Sequence, residues 1–150
     1  MKKQIPLLVL FSLFFSAANA QVVGGRSSQT ILDMGSQVLT ALEAQDREIV
    51  RMEYDIIFTE KESFRALSEE WEYTIVAFAD AGVEILNISL WYYSELDNTW
   101  NKVTETDSDT NYAIIDYKPT APKSFRVIVK VDKFTEGYTI GRYGLFYMHY

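Results

Sequence analysis

The chain has 150 residues, with 21 Asp and Glu against 14 Lys and Arg, a formal net charge of −7 and no cysteine. An acidic surface repels nucleic acids and anionic membranes, so the charged species that remain compatible as partners are cations and basic proteins. The absence of cysteine excludes disulfide bonds and thiolate chemistry.

The first twenty residues have the order of a secretory signal peptide. Lys2 and Lys3 precede an apolar run from Ile5 to Phe15, and Ala18-Asn19-Ala20 then supplies the small residues of a cleavage site. The run is too short for a membrane-spanning helix, which needs about 20 apolar residues. We therefore expect residues 1–20 to be removed and the protein to be exported, to the periplasm or the extracellular space, without stable membrane insertion. The dilysine leader on a cysteine-free chain favours a bacterial protein.

The segment that follows has the spacing of a helix. Apolar side chains recur at intervals of three and four, which predicts an amphipathic helix from about Ile31 to about Ile49. Ser28 or Thr30 is expected to be its N-cap. Gly35 lies within the helix, where Gly costs about 1 kcal/mol relative to Ala, and this indicates close packing at that position.

After Arg51 the apolar spacing shortens to two, and β-branched and aromatic residues become frequent, as is typical of strands. We predict eight strands: Glu53–Thr59, Ser63–Leu67, Glu72–Ala79, Val83–Tyr93, Trp100–Glu105, Tyr112–Tyr117, Ser124–Val131 and Tyr138–Tyr150. The pattern predicts a mainly β fold, an antiparallel, jelly-roll-like β-sandwich with one N-terminal amphipathic helix. Residues 21–29, rich in Gly and Ser, are expected to be a flexible lead-in to this single domain over residues 30–150.

Aromatic residues make up 15% of the chain, and three of them fall close together on predicted outward positions. In the fourth predicted strand, Leu90 and Tyr92 alternate with Trp91 and Tyr93, and Trp100 follows the next turn. Exposed rings can stack on sugars or receive a protein, so Trp91, Tyr93 and Trp100 are candidates for a ligand-binding platform. The alternative is that these rings are packed within the fold, which is favoured because aromatic side chains normally bury most of their area.

The stretch "ETDSDTN" carries oxygen ligands at every second position: Glu105, Asp107, Asp109 and Asn111. Ca²⁺ takes six to eight oxygen ligands, so these side chains are a candidate half-site. An EF-hand loop requires Gly at its sixth position and Glu at its twelfth, which are here Thr110 and Asp116. Two interpretations stay open, a Ca²⁺ site completed by another loop and a solvated acidic turn between two strands. The missing glycine favours the turn.

No residue pattern indicates catalysis. His149 is the only histidine, and no Gly-x-Ser-x-Gly elbow surrounds a serine. With one His and no Cys, a zinc site would depend on carboxylates alone. We therefore expect a protein that is not an enzyme.

The region from Leu67 to Tyr150 contains "EYTIVAFAD", the acidic stretch "TETDSDTN", "PTAPKSFRVIVKV" and the closing "YGLFYM". In this order it resembles the bacterial pre-peptidase C-terminal β-sandwich domain, in the exported single-domain form that has a preceding helix. There are two departures. Leu86-Asn87-Ile88-Ser89-Leu90 stands where the family commonly has Asp-x-Asp-Leu, and Phe125 replaces a usual Tyr.

The resemblance implies a noncatalytic accessory or binding module. We expect an exported β-sandwich that binds a protein or a glycan outside the cytoplasm and needs no cofactor, with Ca²⁺ as the one candidate ion. A carbohydrate-binding module that uses the three aromatic residues and a Ca²⁺-stabilised structural or adhesion module are the alternatives.

Overall fold

The computed structural model describes residues 29–150, which form one helix, α1 (residues 29–43), and eight strands. The strands are β1 (Glu48–Ile57), β2 (Glu60–Leu67), β3 (Tyr73–Ala79), β4 (Val83–Ser94), β5 (Thr99–Glu105), β6 (Tyr112–Tyr117), β7 (Lys123–Phe134) and β8 (Gly141–His149). The predicted signal peptide, residues 21–28 of the predicted lead-in and the candidate cap Ser28 lie outside the described residues. Gln29, assigned to the lead-in from sequence, and Thr30, the other candidate cap, are both helical.

The strands form two four-stranded sheets in which every pairing is antiparallel. Sheet A has the order β1-β8-β3-β6 and sheet B the order β2-β7-β4-β5. This alternation of strands between two sheets is the order of a jelly roll. The predicted fold class is confirmed.

The main core lies between the two sheets and follows from the period of two along each strand. In β4, Leu86, Ile88 and Leu90 are buried inward, as the alternation predicted. Phe125 and Val127 of β7, the neighbouring strand in the same sheet, point into the same core. Because alternate residues point away, the same strands also present a second, outer face.

The centre of the outer face of sheet A is covered by α1, whereas Met52, Ile56 and Ile114 on the edge strands β1 and β6 stay exposed. Val76, Phe78, Phe146 and Met148 of β3 and β8 form a second apolar cluster with Ile31 and Leu42 of the helix. The close packing predicted at Gly35 is confirmed, because a Cβ atom at this position would overlap the hydroxyl of Tyr54. No helix among the described residues is long and apolar enough to cross a membrane.

The predicted helix end at Ile49 is wrong. The helix ends at residue 43, and the chain then turns through Asp46, whose φ of +58° lies in the left-handed region that Asp tolerates better than most residues. Ile49 belongs to β1 but still packs against the helix cluster. Ile49 lies at a spacing that continues the apolar period of the helix, and for this reason the sequence pattern extended the predicted helix into β1.

The first two strands begin earlier than predicted, at Glu48 and Glu60 rather than at Glu53 and Ser63. Charged residues on these strands obscured the period of two. At the open edge of the sandwich, Lys61 forms an ion pair with Asp55 at 2.7 Å, and the Ser63 hydroxyl donates to Glu53 at 2.7 Å. These polar contacts join β1 of sheet A to β2 of sheet B.

Gly144 of β8 provides a test of the helix-facing layer. It lies between its register partners Tyr54 and Phe78, and a Cβ atom there would overlap the fully buried ring of Phe78. We expect Gly144→Ala to lower the free energy of unfolding in urea by about 1–3 kcal/mol, the usual cost of overpacking. In a Phe78→Leu background the same substitution should cost less. Equal costs in the two backgrounds would contradict this packing.

Tyr143 of β8 gives a prediction for alkaline stability. Burial, with Glu53 and Asp55 nearby, raises the pKa of Tyr143 from 10 to about 12. The unfolded chain therefore loses this proton first, and between pH 10 and 12 stability falls by about 1.4 kcal/mol for each pH unit. Urea unfolding across this range should show a shallower decline in Tyr143→Phe than in the wild type. A residual decline is expected, because burial also raises the pKa of Tyr147.

Candidate functional site

The outer face of sheet B carries a cluster of rings. The alternation of β4 places Trp91 and Tyr93 outward, and the register puts Arg126 of β7 and then Phe64 of β2 beside Trp91 in one row. Trp100 of β5 pairs with Tyr93 in the neighbouring row. We call the five side chains Phe64, Trp91, Tyr93, Trp100 and Arg126 the aromatic face.

Trp100 lies at the centre of the aromatic face. Its ring centroid lies 5.4 Å from that of Tyr93 and 5.8 Å from that of Phe64, with tilts of 57° and 59°. The guanidinium carbon of Arg126 lies 4.9 Å from the Trp100 ring and 5.4 Å from the Trp91 ring. Arg126 thus lies within cation–π distance of both indoles.

Hydrogen bonds fix the orientation of this cluster. The indole N–H of Trp91 donates to the Ser89 hydroxyl at 2.9 Å, and the Tyr93 hydroxyl donates to Asn98 at 3.1 Å. Arg126 forms an ion pair with Glu62 at 3.1 Å, and its side chain is 19% exposed. Its Nε is buried and has no hydrogen-bond partner among residues 29–150. Three of the five side chains of the aromatic face are thus held by polar contacts within the fold.

An open groove of about 450 Å³ runs along the aromatic face, between the rings of Phe64, Tyr93 and Trp100. Its floor contains the small residues Ala66 and Ser124, which leave room beside the rings. A second hollow of about 280 Å³ shares Tyr93 and Ser124 with it and extends to Leu96 in the β4–β5 turn. Together they form a channel across the ends of β2, β7 and β4.

The channel has apolar walls and a polar end. Phe64 is 55% exposed and Leu96 is fully exposed, so ring and alkyl surface faces solvent. Near Leu96, Lys123 lies 4.3 Å from the Tyr92 ring. Hydrogen bonds from Ser94 and Thr99 lower the pKa of Asp97 in the same turn, so its carboxylate stays charged. The channel thus offers both stacking surfaces and hydrogen-bonding groups.

The structure brings together all three aromatic residues singled out from sequence, Trp91, Tyr93 and Trp100, and leaves each of them half-buried. The tilted rings of Tyr93 and Trp100 line the groove, whereas Trp91 does not line it. Sequence reasoning missed Phe64 and Arg126. Arg126 could have been found, because it alternates with the inward Phe125 and Val127. Phe64 could not, because its position beside Trp100 depends on the order of strands in sheet B.

The acidic stretch Glu105–Asn111 is held by Asn87 of β4. The side-chain oxygen of Asn87, Oδ1, accepts from the Thr106 hydroxyl at 2.8 Å and from the Ser108 backbone N–H at 2.7 Å. The side-chain amide nitrogen, Nδ2, donates to Asp132 at 2.7 Å. The hydrogen bonds from Lys130 and from Asn87 lower the pKa of Asp132. Asn87 falls in the segment where the pre-peptidase C-terminal domains that this sequence resembles commonly have Asp-x-Asp-Leu. In this chain the Asn87 side chain binds the acidic stretch.

The four candidate Ca²⁺ ligands have different surroundings. Glu105 forms an ion pair with Lys102 at 2.6 Å, and the Asn111 amide donates to the Ala79 carbonyl at 2.7 Å. Asp107 and Asp109 are exposed. Within residues 29–150 there is no group of three or more His, Cys, Asp or Glu side chains that could hold a metal ion. These contacts favour the interpretation as a turn, and Ca²⁺ binding stays an untested prediction.

His149 lies among rings at the far end of the core. Its ring centroid is 4.2 Å from that of Trp71 and 6.1 Å from that of Tyr73. Its Nδ1 is buried without a hydrogen-bond partner among the described residues. A general base requires hydrogen-bond reach to the proton that it removes, so this position gives no support to a catalytic role.

No protein-family model matches this chain, and no curated protein matches it. Several solved structures are similar. The pre-peptidase C-terminal domain of a collagenase from Bacillus anthracis is 10% identical with a TM-score of 0.49, over 65% of this chain and 87% of that one. A pre-peptidase C-terminal domain is thus among the structures that this sandwich is similar to.

Two further similar structures have other roles. The mitogen derived from Yersinia pseudotuberculosis is 14% identical with a TM-score of 0.47, over 67% of this chain and 85% of that one. PliG of Aeromonas hydrophila, a periplasmic inhibitor of g-type lysozyme, is 7% identical with a TM-score of 0.44, over the same shares. With identities of 14% or less and TM-scores below 0.5, these likenesses carry no information about ligand or activity.

The acidic stretch gives a prediction for metal dependence. Because Lys102 and the Ala79 carbonyl already engage Glu105 and Asn111, and only the exposed Asp107 and Asp109 remain, we expect 5 mM Ca²⁺ to leave the thermal unfolding midpoint within about 1 °C of the midpoint in EDTA. Mg²⁺ at the same concentration controls for ionic strength. A clear rise with Ca²⁺ alone, lost in Asp107→Asn/Asp109→Asn, would establish a calcium site instead.

Proposed function

We propose that this is an exported, noncatalytic binding protein and that the aromatic face of sheet B is its ligand-binding surface. The observation that carries the proposal is the difference between the two sheets. Helix α1 packs on the central strands of sheet A, whereas no described helix packs on the outer face of sheet B, where Phe64 is 55% exposed and Trp91, Tyr93 and Trp100 are partly exposed. Exposed apolar patches of this kind mark interaction sites.

The electrostatics of the aromatic face support binding rather than accidental exposure. Arg126 is mostly buried under two indoles, and such an arrangement costs desolvation that its ion pair with Glu62 offsets only in part. Fixed rings around a fixed charge lose little side-chain entropy when a ligand binds. Trp, Tyr and Arg are also the residue types that dominate binding energy in interfaces.

A glycan chain is the ligand class that the channel suits best. Sugar rings present C–H faces that stack on tilted aromatic walls, and their hydroxyls need hydrogen-bond partners at the edges. Tyr93 and Trp100 supply the walls, while Ser94, Lys123 and Ser124 supply polar groups close to them. A protein ligand is the second candidate, supported by the fully exposed Leu96 at the channel's end.

Export and the lack of catalysis are parts of the same proposal. The order of Lys2-Lys3, an apolar run and Ala18-Asn19-Ala20 supports export, although these residues lie outside the described part of the chain. The position of the single histidine between the rings of Trp71 and Tyr73 supports a role other than catalysis. The function is then to hold a ligand outside the cytoplasm.

Trp100 is the residue to test, because it contacts both other rings of the groove and Arg126. In affinity electrophoresis through gels containing laminarin, xylan or soluble peptidoglycan fragments, we expect at least one polysaccharide to retard the wild-type protein. Trp100→Ala should weaken that binding at least tenfold, which is about 1.4 kcal/mol.

Trp71→Ala is the matched control, because Trp71 is 41% exposed and lies beside His149, away from the aromatic face. It should bind like the wild type, and the thermal midpoint of each variant checks that it is folded. Equal retardation of Trp100→Ala and wild type would contradict the aromatic face as the site. If no polysaccharide retards the wild-type protein, the proposal of a glycan ligand is contradicted, and a protein ligand is the remaining candidate.

A further inference from the structure

A second cavity lies on the other sheet, between α1 and the edge strand β6. Its volume is about 360 Å³, at the small end of the range for ligand pockets. Val38, Ala41 and Leu42 of the helix form one wall, and Ile114 of β6 forms the facing wall. This cavity shares no residue with the channel on sheet B.

One end of the cavity is charged. Arg47, in the link between α1 and β1, donates a hydrogen bond to the hydroxyl of Thr74, which is fully buried. That hydroxyl donates to Asp116 of β6 at 2.5 Å. The Tyr150 ring lies behind the guanidinium, 4.7 Å from its carbon atom. A cation and an anion are therefore held side by side at one end of a cavity whose other lining residues include Gln37 and Gln45 as well as the apolar side chains.

Arg47 and Asp116 do not form a direct hydrogen bond with each other. The nearest approach of Arg47 Nη2 to Asp116 is 3.6 Å, longer than a hydrogen bond. Arginine has five N–H donors, and among the described residues the Arg47 side chain donates only to Thr74. The Arg47 side chain is 14% exposed, so water satisfies its remaining donors poorly, whereas the Asp116 side chain is 53% exposed.

We propose that this cavity binds a small zwitterion of the α-amino-acid type. The ligand carboxylate pairs with the free donors of Arg47, the ammonium pairs with Asp116, and an apolar side chain lies between Leu42 and Ile114. A simple amine would leave Arg47 without a carboxylate to pair with. A simple carboxylate would be repelled by Asp116. The paired charges therefore select a ligand that carries both.

Isothermal titration calorimetry tests the proposal with L-leucine as the probe. Isoamylamine and 4-methylpentanoate have the same branched alkyl chain but carry only one of the two charges. We expect one equivalent of L-leucine to bind, and each of the other two compounds to bind at least tenfold more weakly. No binding of L-leucine, or equal binding of either singly charged compound, would overturn the proposal.

Two variants locate the binding. Asp116→Asn removes the charge at a half-exposed position and should weaken L-leucine at least tenfold while the thermal midpoint stays close to that of the wild type. Ala41→Trp should abolish binding by filling the cavity from the exposed helix surface. Ser36→Trp adds the same ring at an exposed helix position that does not line the cavity and should bind normally.

Wild-type affinity in Ala41→Trp, or equal loss in Ser36→Trp, would overturn the assignment of the site. The result is independent of the sheet B proposal, because Trp100→Ala should bind L-leucine like the wild type. Failure of polysaccharide binding and failure of L-leucine binding are thus separate outcomes.

Discussion

A single helix packed on one of two sheets is the constraint on which the rest of this structure depends. A sandwich buries only the inner faces of its sheets, and each outer face must be solvated, covered or used. Ile31 and Leu42 of the helix cover the central strands of sheet A's outer face through Val76, Phe78, Phe146 and Met148. Sheet B has no such helix within residues 29–150, and its outer face instead carries aromatic rings around the partly buried Arg126. The surface proposed to bind a ligand is the surface that the helix does not reach.

Both outer faces are organised by polar contacts at the places where strands change sheet or end. Asn87 ties the β5–β6 connection to β4, and Thr74 ties Arg47 to Asp116 across β3 and β6. Buried polar groups of this kind are costly unless they are paired, so they fix one arrangement of the chain. They also leave charged atoms at the surface in defined positions. The cavity beside α1 is bordered by such anchored side chains, namely Arg47, Thr74 and Asp116.

Long-range neighbours explain where sequence reasoning was right and where it failed. The alternation in β4 correctly separated Leu86, Ile88 and Leu90 from the outward Trp91 and Tyr93, because a period of two is a local property. The helix end was wrong because Ile49, although in β1, packs on the helix cluster and so continued the apolar period. Phe64 was missed because its neighbours come from β5 and β7, which are distant in sequence. The cavity between α1 and β6 could not be predicted from the sequence for the same reason, since Arg47 and Asp116 are far apart in the chain.

The amino-acid sequence by itself determined the class of fold, the existence of one amphipathic helix and eight strands, and which residues of β4 and β7 point inward. These follow from local periodicity and turn residues, which act over a few positions. Only the tertiary structure decided which sheet the helix packs on, that Arg126 contacts two indoles, and that Asn87 binds Thr106 and Ser108 of the acidic stretch. Those features depend on strand order and register, in which contacts join residues that no local pattern relates.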